Sequence, residues 1–171
     1  MTEMVDWLNA CALTLISLFN SVMDIFGLGS MDYTKDMTRT LQSALVPWGE
    51  WLARHTPPDA LIAVPDIGAI GYVSGRRVLD TAGLITPQMV PLLERVPATG
   101  EDPRDVAVAE LAFASFARPG WLLERGTVGE ELLGRSRYAA ALVPVGSTEA
   151  PTLGIARPGR TVYTLYRIRW E

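Results

Sequence analysis

The chain has 171 residues, 49% of them apolar and 20% charged, with 15 basic and 19 acidic residues and a formal net charge of −4. This length makes one domain that buries roughly 70% of its unfolded surface, and its basic residues, scattered singly or in pairs, give a nucleic-acid groove no field to run on. The only cysteine, Cys11, excludes an intrachain disulfide and a cysteine-based zinc cluster, and the only histidine, His55, excludes a multi-histidine metal site.

Residues 1 to 30 hold no Lys or Arg, whereas residues 31 to 171 hold all 15, which divides the chain into an N-terminal segment and a soluble domain. Residues 7 to 28 are mostly apolar and make a helix of roughly 33 Å, long enough to cross a bilayer core. Thr14, Ser17, Ser21 and Asp24 recur at helical spacing opposite Leu8, Leu15, Phe19, Val22 and Phe26, the pattern of an amphipathic helix. Three readings stay open: a membrane-spanning or membrane-lying helix, a self-associating helix, or a leader unrelated to the domain. Glu3 and Asp6 argue against a cleavable secretory signal, and Gly27-Leu28-Gly29-Ser30 ends the helix.

A second helix follows Met31 and runs through Met37, Leu41, Leu45, Trp48, Trp51 and Leu52, with Pro47 as a kink or restart. It ends at Arg54-His55-Thr56-Pro57-Pro58, where basic side chains complement the helix dipole, so His55 reads as a helix-end residue rather than a catalyst. Ala60 to Val64 is a continuous apolar run of the kind buried on both faces of a sheet, and Arg77 to Asp80 is a second short strand. Between them, Pro65 to Arg76 carries three glycines and reads as a glycine-rich loop.

Pro87 to Arg95 and Asp102 to Phe116 read as helices, the latter opened by the capping pair Asp102-Pro103. Further strands are expected at Gly120 to Leu123, Tyr138 to Val143 and Thr161 to Trp170, and Gly146 to Arg160 reads as a loop. In the last strand Val162, Tyr166, Ile168 and Trp170 form the expected core side, opposite Tyr163, Leu165, Arg167 and Arg169. The order predicts a layered α/β domain with a mixed, mostly parallel sheet flanked by helices, the alternating last strand lying near an edge.

The stretch Asp66-Ile67-Gly68-Ala69-Ile70-Gly71 is similar to a dinucleotide fingerprint but fails as one. Its aspartate points negative charge at the pyrophosphate, and the gap to Asp80 is too short for the usual helix and second strand. No cofactor and no metal are therefore expected. Arg76 and Arg77 either clamp a phosphate or carboxylate or serve as internal partners of Asp66 or Asp80, the latter being favoured. The neighbouring carboxylates Glu101-Asp102 and Glu130-Glu131 sit in polar contexts and read as solvated surface.

Residues Trp51 to Ala60, Ile62-Ala63-Val64, Asp66 to Tyr72, Ser74 to Asp80 and Ala82-Gly83-Leu84 together carry a pattern. It resembles the C-terminal soluble domain of bacterial multi-spanning glycosyltransferases of the C-type fold, including protein mannosyltransferase-like and arabinofuranosyltransferase-like proteins. The likeness is strongest from about Tyr33 to Arg95, with weaker echoes at Arg118 to Leu123 and Tyr163 to Arg167. The resemblance implies a domain on the extracytoplasmic face, after the last membrane helix, beside a site that takes sugar from a polyprenyl-phosphate donor.

In that family the catalytic carboxylates belong to an early loop of the membrane part, which nothing here matches, so no catalytic residue carries over. The implied partners are the membrane, through residues 1 to 30, the helices of a membrane glycosyltransferase, and a sugar or lipid-linked sugar. Asp66, Tyr72, Arg76, Arg77 and Asp80 are the candidate ligand contacts. The alternative is a self-sufficient module that binds a small sugar or phosphate at the glycine-rich stretch.

Overall fold

A computed structural model describes residues 38–95, 100–126, 141–152 and 158–170. The helix expected in residues 1 to 30, the start of the second helix, Glu130-Glu131 and the beginning of the Tyr138 strand lie outside these residues. The described chain forms one mixed sheet of five strands: β1 (Leu61–Val64), β2 (Arg77–Asp80), β3 (Trp121–Arg125), β4 (Leu142–Thr152) and β5 (Pro158–Ile168). The strand order is β2-β1-β3-β5-β4. β1 pairs in parallel with β2 and β3, whereas β5 pairs antiparallel with β3 and β4.

Helices cover both faces, as the buried run of β1 requires: Ile62, Ala63 and Val64 have no exposed surface. On one face α1 (Val46–His55) and α2 (Ile67–Ser74) pack Leu45, Trp48, Leu52 and Ile70 against Ile62, Val64, Leu123 and Leu165. On the other, α3 (Val90–Leu93), α4 (Pro103–Ala109) and a 3-10 turn at Ala112–Ser115 pack Met89, Val108 and Phe113 against Ala63, Leu79 and Leu122. Asp102 caps α4 as expected, accepting the Arg104 backbone N–H at 2.8 Å.

Pro47 does not break its helix. A π-helical turn at Leu41–Leu45 runs straight into α1, with the Val46 N–H reaching back five residues to the Leu41 carbonyl, and the widened turn gives the proline ring room. Gly49 sets how closely α1 approaches α2, since a Cβ there would lie 2.8 Å from the Val73 Cβ.

Three expectations are corrected. The glycine-rich stretch is not a loop: Ile67 to Ser74 form α2, which ends where Gly75 takes the left-handed conformation at φ 63°. Burial of Ile70 and contact with the sheet outweigh the helix penalty of Gly68 and Gly71, about 1 kcal/mol each. Of the expected loop Gly146 to Arg160, Gly146 to Thr152 and Pro158 to Arg160 are strand, and Val145 and Pro151 are the β4 residues skipped at two irregularities in the β4 to β5 register. β4 is an edge strand, where a missing proline N–H and a bulge are tolerated.

The third concerns β5, which lies between β3 and β4 in a sheet covered on both faces, so that each of its own faces reaches a core. Tyr163 and Leu165, expected to face outward, are in the core beside α1, while Tyr166, Ile168 and Trp170 pack in the opposite core as expected and Val162 is exposed.

Candidate functional site

The carboxyl ends of the three parallel strands meet along one edge, which carries Asp66 after β1, Asp80 and Thr81 at the end of β2, and Glu124 and Arg125 at the end of β3. From β1 the chain crosses through α2 on one face, and it reaches β3 through α4 on the other. The winding therefore reverses between β1 and β3, the position where open α/β sheets place ligands.

Successive residues of β3 turn to opposite faces, so Glu124 and Arg125 anchor two separate networks. On the α4 face, Arg104 donates from Nη2 to both Glu124 oxygens at 2.7 Å and from Nη1 to Asp105 at 2.8 Å. Arg104 Nη2 also lies 3.3 Å from Thr81 Oγ1, which joins α4 to the ends of β2 and β3. Burial pushes the Glu124 carboxyl above its ordinary range against the pull of Arg104, because Glu124 is fully enclosed. For Arg104, burial pulls the guanidinium down, but the attraction and hydrogen bonds of Glu124 and Asp105 together outweigh it and raise the value.

On the α1 and α2 face, Asp66 receives Arg125 Nη1 at 3.0 Å and the Tyr163 hydroxyl at 2.8 Å. β5 places Tyr163 directly opposite Arg125 in the antiparallel register. Burial, and after it the Asp66 charge, pushes the Tyr163 phenol above its ordinary value, so Tyr163 stays a proton donor to the carboxylate. The Asp66 and Arg125 side chains are 26% and 22% exposed, which leaves this pair in part reached by solvent at the switch point.

Asp80 is fully buried and holds the backbone of the next loop: Oδ1 accepts from Ala82 N–H at 2.8 Å and Oδ2 from Ile85 N–H at 2.9 Å. Arg76 sits at the opposite end of β2. Its guanidinium donates to the Ala53 and Thr56 carbonyls at the end of α1, to Thr56 Oγ1 at 3.0 Å and to the Ser74 carbonyl. The internal role favoured for this arginine is present, with a different partner: carbonyls released by the end of α1, not Asp66 or Asp80. Arg77 is exposed at the start of β2, and Tyr72 is 91% exposed on α2. Only Asp66 and Asp80 of the five expected contacts thus share an edge. His55 closes α1, its Nδ1 2.8 Å from the Trp51 carbonyl and its ring stacked on Trp51 at 4.3 Å.

The partners that complete the edge, Arg104, Glu124, Arg125 and Tyr163, were missed from sequence. A signal existed, since Leu122-Leu123-Glu124 puts a carboxylate inside an apolar strand and a buried carboxylate requires a partner. Which arginine supplies it depends on where α4 lands.

This arrangement, from the helix before β1 to the middle of β5, falls within a single family match. The chain belongs to a family of unknown function, DUF8728. The DUF8728 model matches residues 33–166, which takes in both networks of the carboxyl edge and all five expected contacts. No curated protein and no solved structure matches the chain. Among the described residues of this DUF8728 member, no helix is long and apolar enough to cross a membrane, and no group of three or more His, Cys, Asp or Glu is placed to hold a metal ion.

Proposed function

We propose that this chain is a non-catalytic soluble domain of a membrane glycosyltransferase that uses a polyprenyl-phosphate sugar donor, on the extracytoplasmic face, where it assists acceptor binding or stabilises the enzyme. The reading rests on the resemblance centred on residues 33 to 95. The observation that supports it is the commitment of the carboxylates along the edge. Asp66 is engaged by Arg125 and Tyr163, Glu124 and Asp105 by Arg104, and Asp80 by loop N–H groups. A general base or nucleophile needs a carboxylate aimed at substrate, and these are aimed at the fold.

The test has two parts. Full-length protein should float with liposomes, and the pure protein should not turn over a polyprenyl-phosphate sugar. Turnover overturns the non-catalytic reading, and failure to float overturns the membrane placement.

A second reading, a small sugar- or phosphate-binding module, is favoured by the part-exposed Asp66 and Arg125 at the switch point. Calorimetric titration of a sugar phosphate, lost in Arg125→Ala with the fold intact, would establish it.

A further inference from the structure

We infer that residues 81 to 93 are a surface on which the domain rests on a lipid bilayer, with Leu84 and Ile85 seated in the boundary between headgroups and acyl chains. The inference deepens the reading above and rests on it for the presence of the bilayer. Residues 81 to 93 and 7 to 23 are the two longest runs of this chain without a charged side chain. In the first of them Met89 anchors the run in the core while three apolar side chains are turned outward: Leu84 is 83% exposed, Ile85 58% and Val90 41%. Exposed aliphatic side chains gathered in one place mark a surface that is covered in use.

The loop is built to hold them there. The two Asp80 oxygens fix the N–H groups of Ala82 and Ile85, the Gly83 N–H returns to the Asp80 carbonyl, and Thr86 Oγ1 accepts from the Asp80 N–H. Gly83 adopts φ 85° and lies against Met89, Val90 and Leu93, which joins the loop tip to α3 as one patch. A buried aspartate thus stops Leu84 and Ile85 from folding back onto the core.

The charge pattern fits a lipid boundary. The patch brings no charge that lipid would strip of water, and at its end Glu94 and Arg95 supply one charge of each sign. A surface of this kind suits zwitterionic headgroups and does not depend on anionic lipid, which requires a basic cluster. The tether agrees: with residues 7 to 28 in the bilayer, residues 29 to 37 span at most roughly 30 Å, no more than the width of such a domain.

The test uses the full chain carrying Cys11→Ser and one new cysteine bearing a polarity-sensitive fluorophore, at Leu84→Cys or Ile85→Cys. Asp59→Cys, exposed in the turn before β1 at the opposite end of the sheet, is the control. With phosphatidylcholine vesicles, both labels should shift to the blue and be quenched about twofold or more by lipids spin-labelled near the headgroup, as suits a group about 5–10 Å into the boundary. Molar salt should leave this unchanged, and the label at position 59 should stay in water. Protein that floats with its loop labels still in water overturns the inference and leaves the proposed function standing. Protein that does not float overturns both. A blue shift without vesicles means that protein covers the patch, and quenching that needs anionic lipid or vanishes in salt means Coulombic attachment; either result overturns the inference.

Discussion

Arg104, in the first turn of α4, places one guanidinium nitrogen 2.7 Å from each oxygen of Glu124, a fully buried carboxylate near the end of β3. The pair ties the helix that carries the chain over the sheet to the strand that the crossover delivers. Removing the cation strands a buried charge, which costs about 3–5 kcal/mol. Arg104→Ala should lose stability on that scale in denaturant unfolding, whereas Glu124→Gln, which keeps hydrogen-bonding oxygen and nitrogen in place, should lose less.

The same carboxyl sets a pH dependence. Burial raises the Glu124 value above that of the unfolded chain, so between the two values the folded state holds more protons. Its contribution to stability is full below the unfolded value and is lost as pH rises through the folded one. The difference in unfolding free energy between wild type and Glu124→Gln should therefore shift against wild type as pH rises from about 4. A flat difference across that range contradicts the raised value.

Arg76 and Arg77 are adjacent in sequence but should behave differently. Arg76 satisfies carbonyls at the end of α1, so Arg76→Ala should cost about 1–3 kcal/mol, and Arg76→Lys should recover only part because an ammonium lacks the planar fork. Arg77 is exposed, and Arg77→Ala should stay within about 0.5 kcal/mol of wild type. Thermal melts of the three variants decide the matter.

At the other network, Tyr163→Phe removes the hydroxyl that donates to Asp66 and should cost about 1.5–3 kcal/mol, the range for hydrogen bonds to charged groups. Asp66→Asn should cost a similar amount by weakening both the Arg125 and the Tyr163 contacts. The double variant should lose less than the sum, because both changes act on one network.

Gly49 offers a packing test free of charge effects. Gly49→Ala puts a methyl group 2.8 Å from the Val73 Cβ, so α1 and α2 must separate, at about 1–3 kcal/mol. A neutral or stabilising result in unfolding experiments would show that the two helices have room to move apart.

Much of this architecture was legible in one sequence because it depends on local patterns. The apolar run Ala60 to Val64 specified a strand buried on both faces, which starts one residue later at Leu61, Arg77 to Asp80 marked its neighbour to the residue, and Asp102-Pro103 marked the start of α4. His55 was correctly placed at a helix end by the two prolines that follow it. Those signals act over a few residues, where backbone preference and side-chain periodicity dominate.

What the sequence could not decide depended on which elements meet. Local glycine preference favoured a loop at Ile67 to Ser74, and burial against the sheet made it a helix. The alternation of β5 offered one core side, and the layers packed on both faces of the sheet gave it two. Arg76 lay beside Asp80 in the chain yet found its acceptors at the end of α1, while Asp66 found Arg125 and Tyr163. Charges far apart in sequence pair only after the sheet order has brought their strands together, so the composition of a site like this one follows from the tertiary fold.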